Sequence, residues 1–294
     1  MSNVVLMYTG NVCSTPMIEY AHLVENVYVP VKEHFDFQRV LEVSPDESSV
    51  SKDFADILKT LYARESNVIL EQDSLVKMRD GQPIPSVEQK PHMLFKWRSF
   101  PSDLPDTQKI SEVFAENDVH PLIMLRKSLS HQAIKVFLSE KVYGGRHQQF
   151  KARAMSKEDY EAYLAEQDKI SITADADDIL EIRAIARNFM NRTLKMIEDT
   201  QFYFGHAGTP SLLFAEDVFS PLIQVNRFNK ALTRLMGDDV AKLGAQSQTR
   251  LRKGGLEVSH CANAEEVLKN PKLRDFEAKY QEAAAKLDNL FPAK

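Results

Sequence analysis

Short, uninterrupted runs of apolar residues recur along the chain, and each predicts a strand that is buried on both faces of a sheet. Between these runs, apolar residues fall at helical spacing. Strands that alternate with helices predict an α/β fold with a central parallel sheet flanked by helices. The predicted strands cover residues 4–8, 27–31, 93–97, 121–125 and 211–218, the last of them running into a turn. Seven helices are predicted. The first starts at Pro16, the second covers residues 54–61, the third lies between Ser128 and Gly144, and the fourth covers residues 156–167. The fifth begins at Asp175 or Asp177, the sixth runs from Ser220 to Met236, and the seventh runs from residue 264 to about residue 289.

The first strand, loop and helix form a unit that is able to bind an anion. Thr15 is placed as the N-cap of the helix, and Pro16 as its first residue. A loop that enters a helix in this way presents free backbone N–H groups and the positive end of the helix dipole, and Ser14 and Thr15 add hydroxyl donors. An ordinary strand-to-helix turn is the alternative interpretation. The patterns G-x-x-x-x-G-K-[ST] and G-x-G-x-x-G are both missing here, so an anion would be held by a variant of the phosphate loop.

The second predicted strand ends in a carboxylate. Glu33 lies between Lys32 and His34, directly after the apolar run. In open α/β sheets, ligands sit outside the carboxyl ends of the strands, so a carboxylate at this position is placed like a general base. The alternative is a surface glutamate within a solvated group of charges.

These two segments, G-x-x-x-S-T at residues 10–15 and P-x-K-E-H-F at residues 30–35, resemble sulfotransferases that use 3′-phosphoadenosine-5′-phosphosulfate (PAPS). The nearest branch is the bacterial trehalose sulfotransferase type. The resemblance implies a P-loop-like sulfotransferase fold, with Glu33 as the catalytic base and His34 as the alternative base. It also implies that the first loop cradles the 5′-phosphosulfate, through Gly10, Asn11, Val12, Cys13, Ser14 and Thr15. Loops of this family usually carry a basic residue before the Ser-Thr pair, and this loop carries none.

The resemblance extends to a strand that ends in Arg126 and continues into a helix. In the family an arginine here binds the 3′-phosphate together with a serine eight or nine residues further on, and in this chain Lys135 stands where the serine would fall. Lys96, in the strand of residues 93–97, is expected to neutralise charge near the sulfuryl group. A solvated lysine is the alternative for Lys96.

Two further segments follow in the order that the family has. Glu216 and Asp217 occupy an acidic turn after a strand, where we expect a structural role. Arg252, Lys253 and Gly254 match a basic segment that contacts the 3′-phosphate in relatives, although a charge run is more often a solvated loop.

Composition narrows the class of protein further. Lys and Arg number 37 against 42 Asp and Glu, a formal net charge of −5, which argues against a general nucleic-acid binder. No apolar segment reaches the length of a membrane span, and the N-terminus enters a strand without a cleavage signal. The two cysteines, Cys13 and Cys261, form neither a disulfide framework nor a zinc-binding spacing. We therefore expect a cytoplasmic protein without a metal.

The resulting interpretation is a single domain over residues 1–294, with acceptor-side insertions near 38–90 and 146–176. Its expected function is transfer of a sulfuryl group from PAPS to a hydroxyl of a small molecule or carbohydrate, leaving the desulfated product PAP. Two alternatives stay open: a kinase-like phosphotransferase, and a non-catalytic protein of the same fold that binds PAP or assembles with others. Because relatives of the trehalose type are often dimers, a homodimer is expected.

Overall fold

A computed structural model describes twelve parts of the chain: residues 3–9, 17–18, 21, 24, 26–29, 54–63, 91–98, 107–144, 155–207, 211–218, 225–237 and 255–290. Packing divides the chain into two compact units. The first comprises residues 1–125, 195–244 and 286–294, and the second comprises residues 126–194 and 245–285. The interpretation of the chain as one domain with insertions near 38–90 and 146–176 stays a prediction.

The first unit contains a five-stranded sheet in the order β2-β3-β1-β4-β5, and every described strand pair in it is parallel. Val4, Val5 and Leu6 of the central strand β1 are fully buried, as expected for a strand that is covered on both faces. The predicted α/β fold with a central parallel sheet is thereby confirmed. The strands are β1 (Asn3–Tyr8), β2 (Val27–Tyr28), β3 (His92–Arg98), β4 (Val119–Leu125) and β5 (Ser211–Phe214).

The strand order creates a switch point between β1 and β4. From β1 the chain continues to β2 on one side of the sheet, and from β4 it continues to β5 on the other side. Tyr8, the last residue of β1, is level with Met124 of β4. Because connections leave two neighbouring strands in opposite directions, the crevice outside their carboxyl ends is where open α/β sheets bind ligands.

Helices of the first unit contribute an aromatic cluster to its core. Phe114 and Phe204 stack with ring centroids 5.0 Å apart, and Trp97 lies 5.1 Å from Tyr203. The helix that carries Phe114 was not expected, although Ile110, Val113 and Phe114 follow helical spacing. The described helices of this unit are α1 (Phe54–Ala63), α2 (Thr107–Glu116), the C-terminal part of α5 (Ala176–Phe204), α6 (Ala215–Val218) and α7 (Val225–Met236).

The second unit is mostly helical. Its helices are α3 (Leu129–Tyr143), α4 (Lys157–Gln167), the N-terminal part of α5, α8 (Ala264–Leu268) and most of α9 (Pro271–Asn289). A short bridge outside the sheet joins Ile172 to Cys261 in parallel orientation. Next to this bridge, the amide side chain of Asn263 pairs with both backbone groups of Ala174, accepting from its N–H at 2.8 Å and donating to its C=O at 2.9 Å.

Three predicted helix ends are confirmed by their capping hydrogen bonds. The Ser128 hydroxyl accepts a bond from the His131 N–H at the start of α3. Gly144 ends that helix in the left-handed conformation, with φ of 61°, and its N–H donates to Glu140. Asp175 caps α5 by accepting a bond of 2.9 Å from the Asp178 N–H.

The prediction of one continuous helix from residue 264 to about 289 is wrong. Helix α8 ends at Leu268, and α9 begins at Pro271. Proline lacks the N–H that an interior helical position donates, and it is favoured at the first position of a helix. The Asn270 side chain accepts bonds from the N–H groups of Lys272 and Leu273, so the Asn-Pro pair starts a new helix.

Candidate functional site

Three of the predicted site residues lie in the described part of the chain: Lys96, Arg126 and Lys135. The others lie outside the described residues, and their assignments stay predictions. These are the loop residues Gly10, Asn11, Val12, Cys13, Ser14 and Thr15, the bases Glu33 and His34, and the basic segment Arg252, Lys253 and Gly254.

Lys96 is buried within the first unit, with 1% of its surface exposed. It is level with Leu6 of the neighbouring strand β1, and its ammonium group lies 6.0 Å from the centre of the Tyr8 ring. The alternative of a solvated lysine is therefore wrong. Desolvating an ammonium group is costly, so a buried lysine requires compensating polar or anionic groups. Lys96 is therefore a buried polar side chain beside β1, two residues before the strand ends at Tyr8.

The residue after β4, Arg126, has its backbone held by a tyrosine of the C-terminal helix. The Tyr280 hydroxyl accepts a bond of 3.1 Å from the Arg126 N–H and donates one of 2.6 Å to the Arg126 carbonyl. The next carbonyl, that of Lys127, accepts a bond of 2.6 Å from the Gln281 amide. Helix α9 thus fixes the backbone that leads into α3, and with it the starting point of the Arg126 side chain.

The N-terminus of α3 already holds a carboxylate of the chain itself. Glu277 Oε2 accepts bonds of 2.7 Å from both the N–H and the hydroxyl of Ser130, and one of 3.2 Å from the Ser128 hydroxyl. Its other oxygen accepts a bond of 3.3 Å from the Leu129 N–H. Burial raises the pKa of this carboxyl, but bonds from Ser130, Gln281 and the backbone more than offset it and leave the pKa lowered. The helix-start donors that an external anion would use are therefore engaged.

The Glu277 contact was missed by sequence reasoning. Helix α9 is rich in Lys and Glu, and in such a pattern one glutamate with a distant partner looks like any solvated one. The separation of 149 residues between Ser128 and Glu277 leaves no local signal.

Lys135 forms an ion pair within the second unit. Its ammonium group lies 2.9 Å from Glu257 Oε2, and both side chains are partly exposed. Glu257 neutralises the ammonium group of Lys135, which the resemblance assigns to the binding of the 3′-phosphate. Lys135 would therefore have to exchange a carboxylate for a phosphate in order to bind the nucleotide.

The described ranges contain no group of three or more His, Cys, Asp or Glu side chains arranged to hold a metal ion. Among the same residues, no helix combines the length and the apolar character needed to cross a bilayer. Cys261 is a buried thiol, and burial raises its pKa. A thiol in this state is a poor nucleophile, so Cys261 is not a candidate catalytic group.

Comparison of the chain with family models, with curated proteins and with solved structures found no match. The relevant features are the buried Lys96 beside β1, the fixed backbone of Arg126, the filled helix start at α3, and the paired Lys135.

Proposed function

We propose that the chain is a sulfotransferase, which moves a sulfuryl group from PAPS to a hydroxyl of a small-molecule or carbohydrate acceptor. The observation that carries this proposal is Lys96, a fully buried lysine next to the strand that leads into the predicted phosphate loop. A positive charge stabilises a developing negative charge more strongly in a site that excludes water than in solution. A lysine desolvated at this point is suited to an anionic substrate.

The sheet topology supports the same location. The crevice outside the carboxyl ends of β1 and β4 is the switch point of the sheet, and the loop that starts at Gly10 follows β1 after one residue. Ligand binding at this crevice agrees with the resemblance, which assigns the 5′-phosphosulfate to that loop.

In the proposed reaction, the acceptor oxygen attacks sulfur from the side opposite the bridging oxygen. An S–O bond to the acceptor forms while the S–O bond to the 5′-phosphate breaks, and Glu33 takes the proton of the acceptor hydroxyl. Lys96 and the backbone N–H groups of residues 10–15 neutralise the charge that develops on the leaving phosphate oxygen. His34 is the alternative base, since its reference pKa of about 6.5 suits proton transfer near neutral pH.

The 3′-phosphate is assigned to the Arg126 side chain rather than to the helix start, because Glu277 engages the N–H groups there. A guanidinium group matches a phosphate with two parallel hydrogen bonds. The proposed 3′-phosphate site also includes Lys135 and the segment of Arg252, Lys253 and Gly254. Lys135 is released from Glu257 when the nucleotide binds.

A non-catalytic PAP-binding protein is the second candidate, and one observation favours it. Lys135, which stands in the position of the family's serine, is ion-paired with a carboxylate of the chain. Binding of PAP without any sulfuryl transfer would identify this candidate.

Calorimetry with PAP tests the proposal, with ATP and Mg²⁺ as the comparison. The variants are Lys96→Met and Arg126→Ala, and the matched control is Lys59→Met, on an exposed position of α1. We expect PAP to bind the wild type and the control alike, and both test variants to lose about tenfold or more in affinity, as for loss of a charged hydrogen-bond partner. Circular dichroism confirms that each variant is folded.

Saturable PAP binding that both test variants weaken would then justify an acceptor screen with PAPS, with Glu33→Gln as the inactive control. Preference for ATP and Mg²⁺ over PAP would reject the proposal in favour of a kinase-like phosphotransferase. Wild-type protein that binds neither nucleotide would also overturn it.

A further inference from the structure

A cleft of about 200 Å³ lies within the second unit, and none of its lining residues belongs to the proposed sulfotransferase site. It is lined by Leu180, Arg183, Ala184 and Arg187 of α5 and by Phe276 of α9. We call it the cationic cleft. Leu180 is 54% exposed, and Leu194 and Phe202 of the same helix are also exposed, so α5 presents apolar side chains to its surface. The small side chain of Ala184 leaves room between the larger residues.

Neither arginine of the cationic cleft has a hydrogen-bond or ion-pair partner within the described ranges. The Nε–H group of Arg183 is buried and donates to no acceptor among the residues that the structure describes. Buried polar groups are nearly always hydrogen-bonded, so this Nε–H group has the capacity to bind one further acceptor, such as a water or a ligand oxygen. Arg183 and Arg187 are four residues apart, and two like charges at this spacing destabilise a helix unless an anion neutralises them.

The neighbouring helical positions on α5 and α9, the two described helices that line the cationic cleft, supply no such anion. On α5, no acidic residue stands three or four positions from either arginine, and on α9 the corresponding neighbours of Phe276 are Lys272, Leu273, Lys279 and Tyr280. The two acids adjacent to Phe276 are used elsewhere. Asp275 lies 3.1 Å from Lys279 Nζ, and Glu277 accepts the bonds at the start of α3.

We propose that the cationic cleft binds a phosphate monoester whose phosphate is attached to a flat apolar group. Two guanidinium groups match the double negative charge of a phosphate monoester and bind it through paired N–H···O bonds. Phe276 and Leu180 offer an apolar wall for the group that carries the phosphate, with the ring of Phe276 available for stacking. The site lies within the second unit and does not depend on the proposed sulfuryl transfer.

Phenyl phosphate is the probe for this site, and inorganic phosphate and phenol are its separated halves. Binding is followed by calorimetry and by the Nε–Hε resonances of ¹⁵N-arginine-labelled protein, with the Arg183 signal identified from its loss in Arg183→Gln. The test variants are Arg183→Gln, Arg187→Gln and Phe276→Leu. Arg274→Gln is the matched control, because it removes the same charge from an exposed position of α9 two residues from Phe276.

We expect saturable binding of phenyl phosphate and a shift of the Arg183 Nε–Hε signal. Each arginine variant should lose about tenfold in affinity, in line with a lost charge-assisted bond. Arg274→Gln should bind like the wild type, and Phe276→Leu should lose the advantage of phenyl phosphate over inorganic phosphate. Failure of phenyl phosphate to bind, equal loss in Arg183→Gln and Arg274→Gln, or equal affinity for phenol would overturn the proposal.

Discussion

Ser130 donates two hydrogen bonds of 2.7 Å to the same oxygen of Glu277, one from its backbone N–H and one from its hydroxyl. This carboxylate joins α9 to the start of α3 and satisfies donors that a helix leaves free at its N-terminus. Two serines and one glutamate therefore do what a single N-cap residue does in most helices.

Glu277→Gln should lower the free energy of unfolding by about 1–3 kcal/mol, because an amide at this position loses the charge and turns donors toward donors. Urea unfolding at neutral pH measures the change. Glu282→Gln, at an exposed position of the same helix, is the control and should change stability little. Equal stability of the two variants would contradict the contact.

The same contact predicts a pH dependence. The pKa of Glu277 in the folded chain is lowered from the ordinary value of 4.5. Its stabilisation is therefore fully present above that ordinary value and is lost as pH falls through the lowered folded pKa. The difference in stability between the wild type and Glu277→Gln should be constant near neutral pH and shrink in acid. A difference that grows on acidification would be inconsistent with this assignment.

Asp175→Ala should destabilise the start of α5 by about 1 kcal/mol, the usual effect of removing an N-cap. Asp175 and Asp178 bond reciprocally, each side chain accepting from the other's backbone N–H, at 2.9 and 3.2 Å. Thermal unfolding with Asp177→Ala as the control separates the cap from a general loss of negative charge at the helix start. A similar loss in both variants would assign the effect to the helix dipole instead.

Asn263→Ala should cost about 1–3 kcal/mol, because it leaves the N–H and the C=O of Ala174 without their partners. Asn263→Asp keeps the acceptor for the Ala174 N–H but turns a carboxylate oxygen toward the Ala174 C=O and Glu266, so stability should fall while the bond to the Ala174 N–H is kept. Amide exchange at Ala174 provides the site-specific measurement. Protection at this amide should fall in the alanine variant and be largely kept in the aspartate variant.

Glu257→Gln should leave stability within about 1 kcal/mol, because its pair with Lys135 is partly exposed. If Lys135 contributes to the proposed nucleotide site, the variant should also bind PAP more tightly, since the lysine no longer has a competing carboxylate. Calorimetry on Glu257→Gln and on Lys135→Gln measures both effects. Unchanged PAP affinity in both variants would remove Lys135 from the site while leaving Lys96 and Arg126 to be tested separately.

The sheet could be predicted from sequence because strands buried on both faces carry continuous apolar runs, as in residues 4–8 and 121–125. Helix ends at Ser128, Gly144 and Asp175 were predictable because caps are local. The strand order was not predictable from these patterns, since register and neighbours are set by contacts between distant segments. The break at Pro271 could have been predicted, because Asn-Pro is a helix-start signal. The apolar periodicity continues across it and led to the prediction of one helix.

The candidate site was less accessible to sequence reasoning. Lys96 gives no local sign of burial, because a lysine within an apolar strand fits an exposed strand end as well as a core position. The partners of Glu277 and Arg183 were also impossible to predict from neighbouring residues. One is a charged residue with an unforeseen partner, and the other is a charged residue whose buried donor has none in the described part of the chain.

The Tyr280 hydroxyl, which bridges the two backbone groups of Arg126, has a consequence for how the protein is made. A ribosome delivers Arg126 and Ser128 long before it delivers Glu277, Tyr280 and Gln281, since 154 residues separate Arg126 from Tyr280. Until the C-terminal helix emerges, the backbone between β4 and α3 must bond to water. Nascent chains halted before residue 277 should therefore be cut by proteases near residue 126, and chains that extend through α9 should resist cleavage there, because α9 supplies the bonds that hold this backbone.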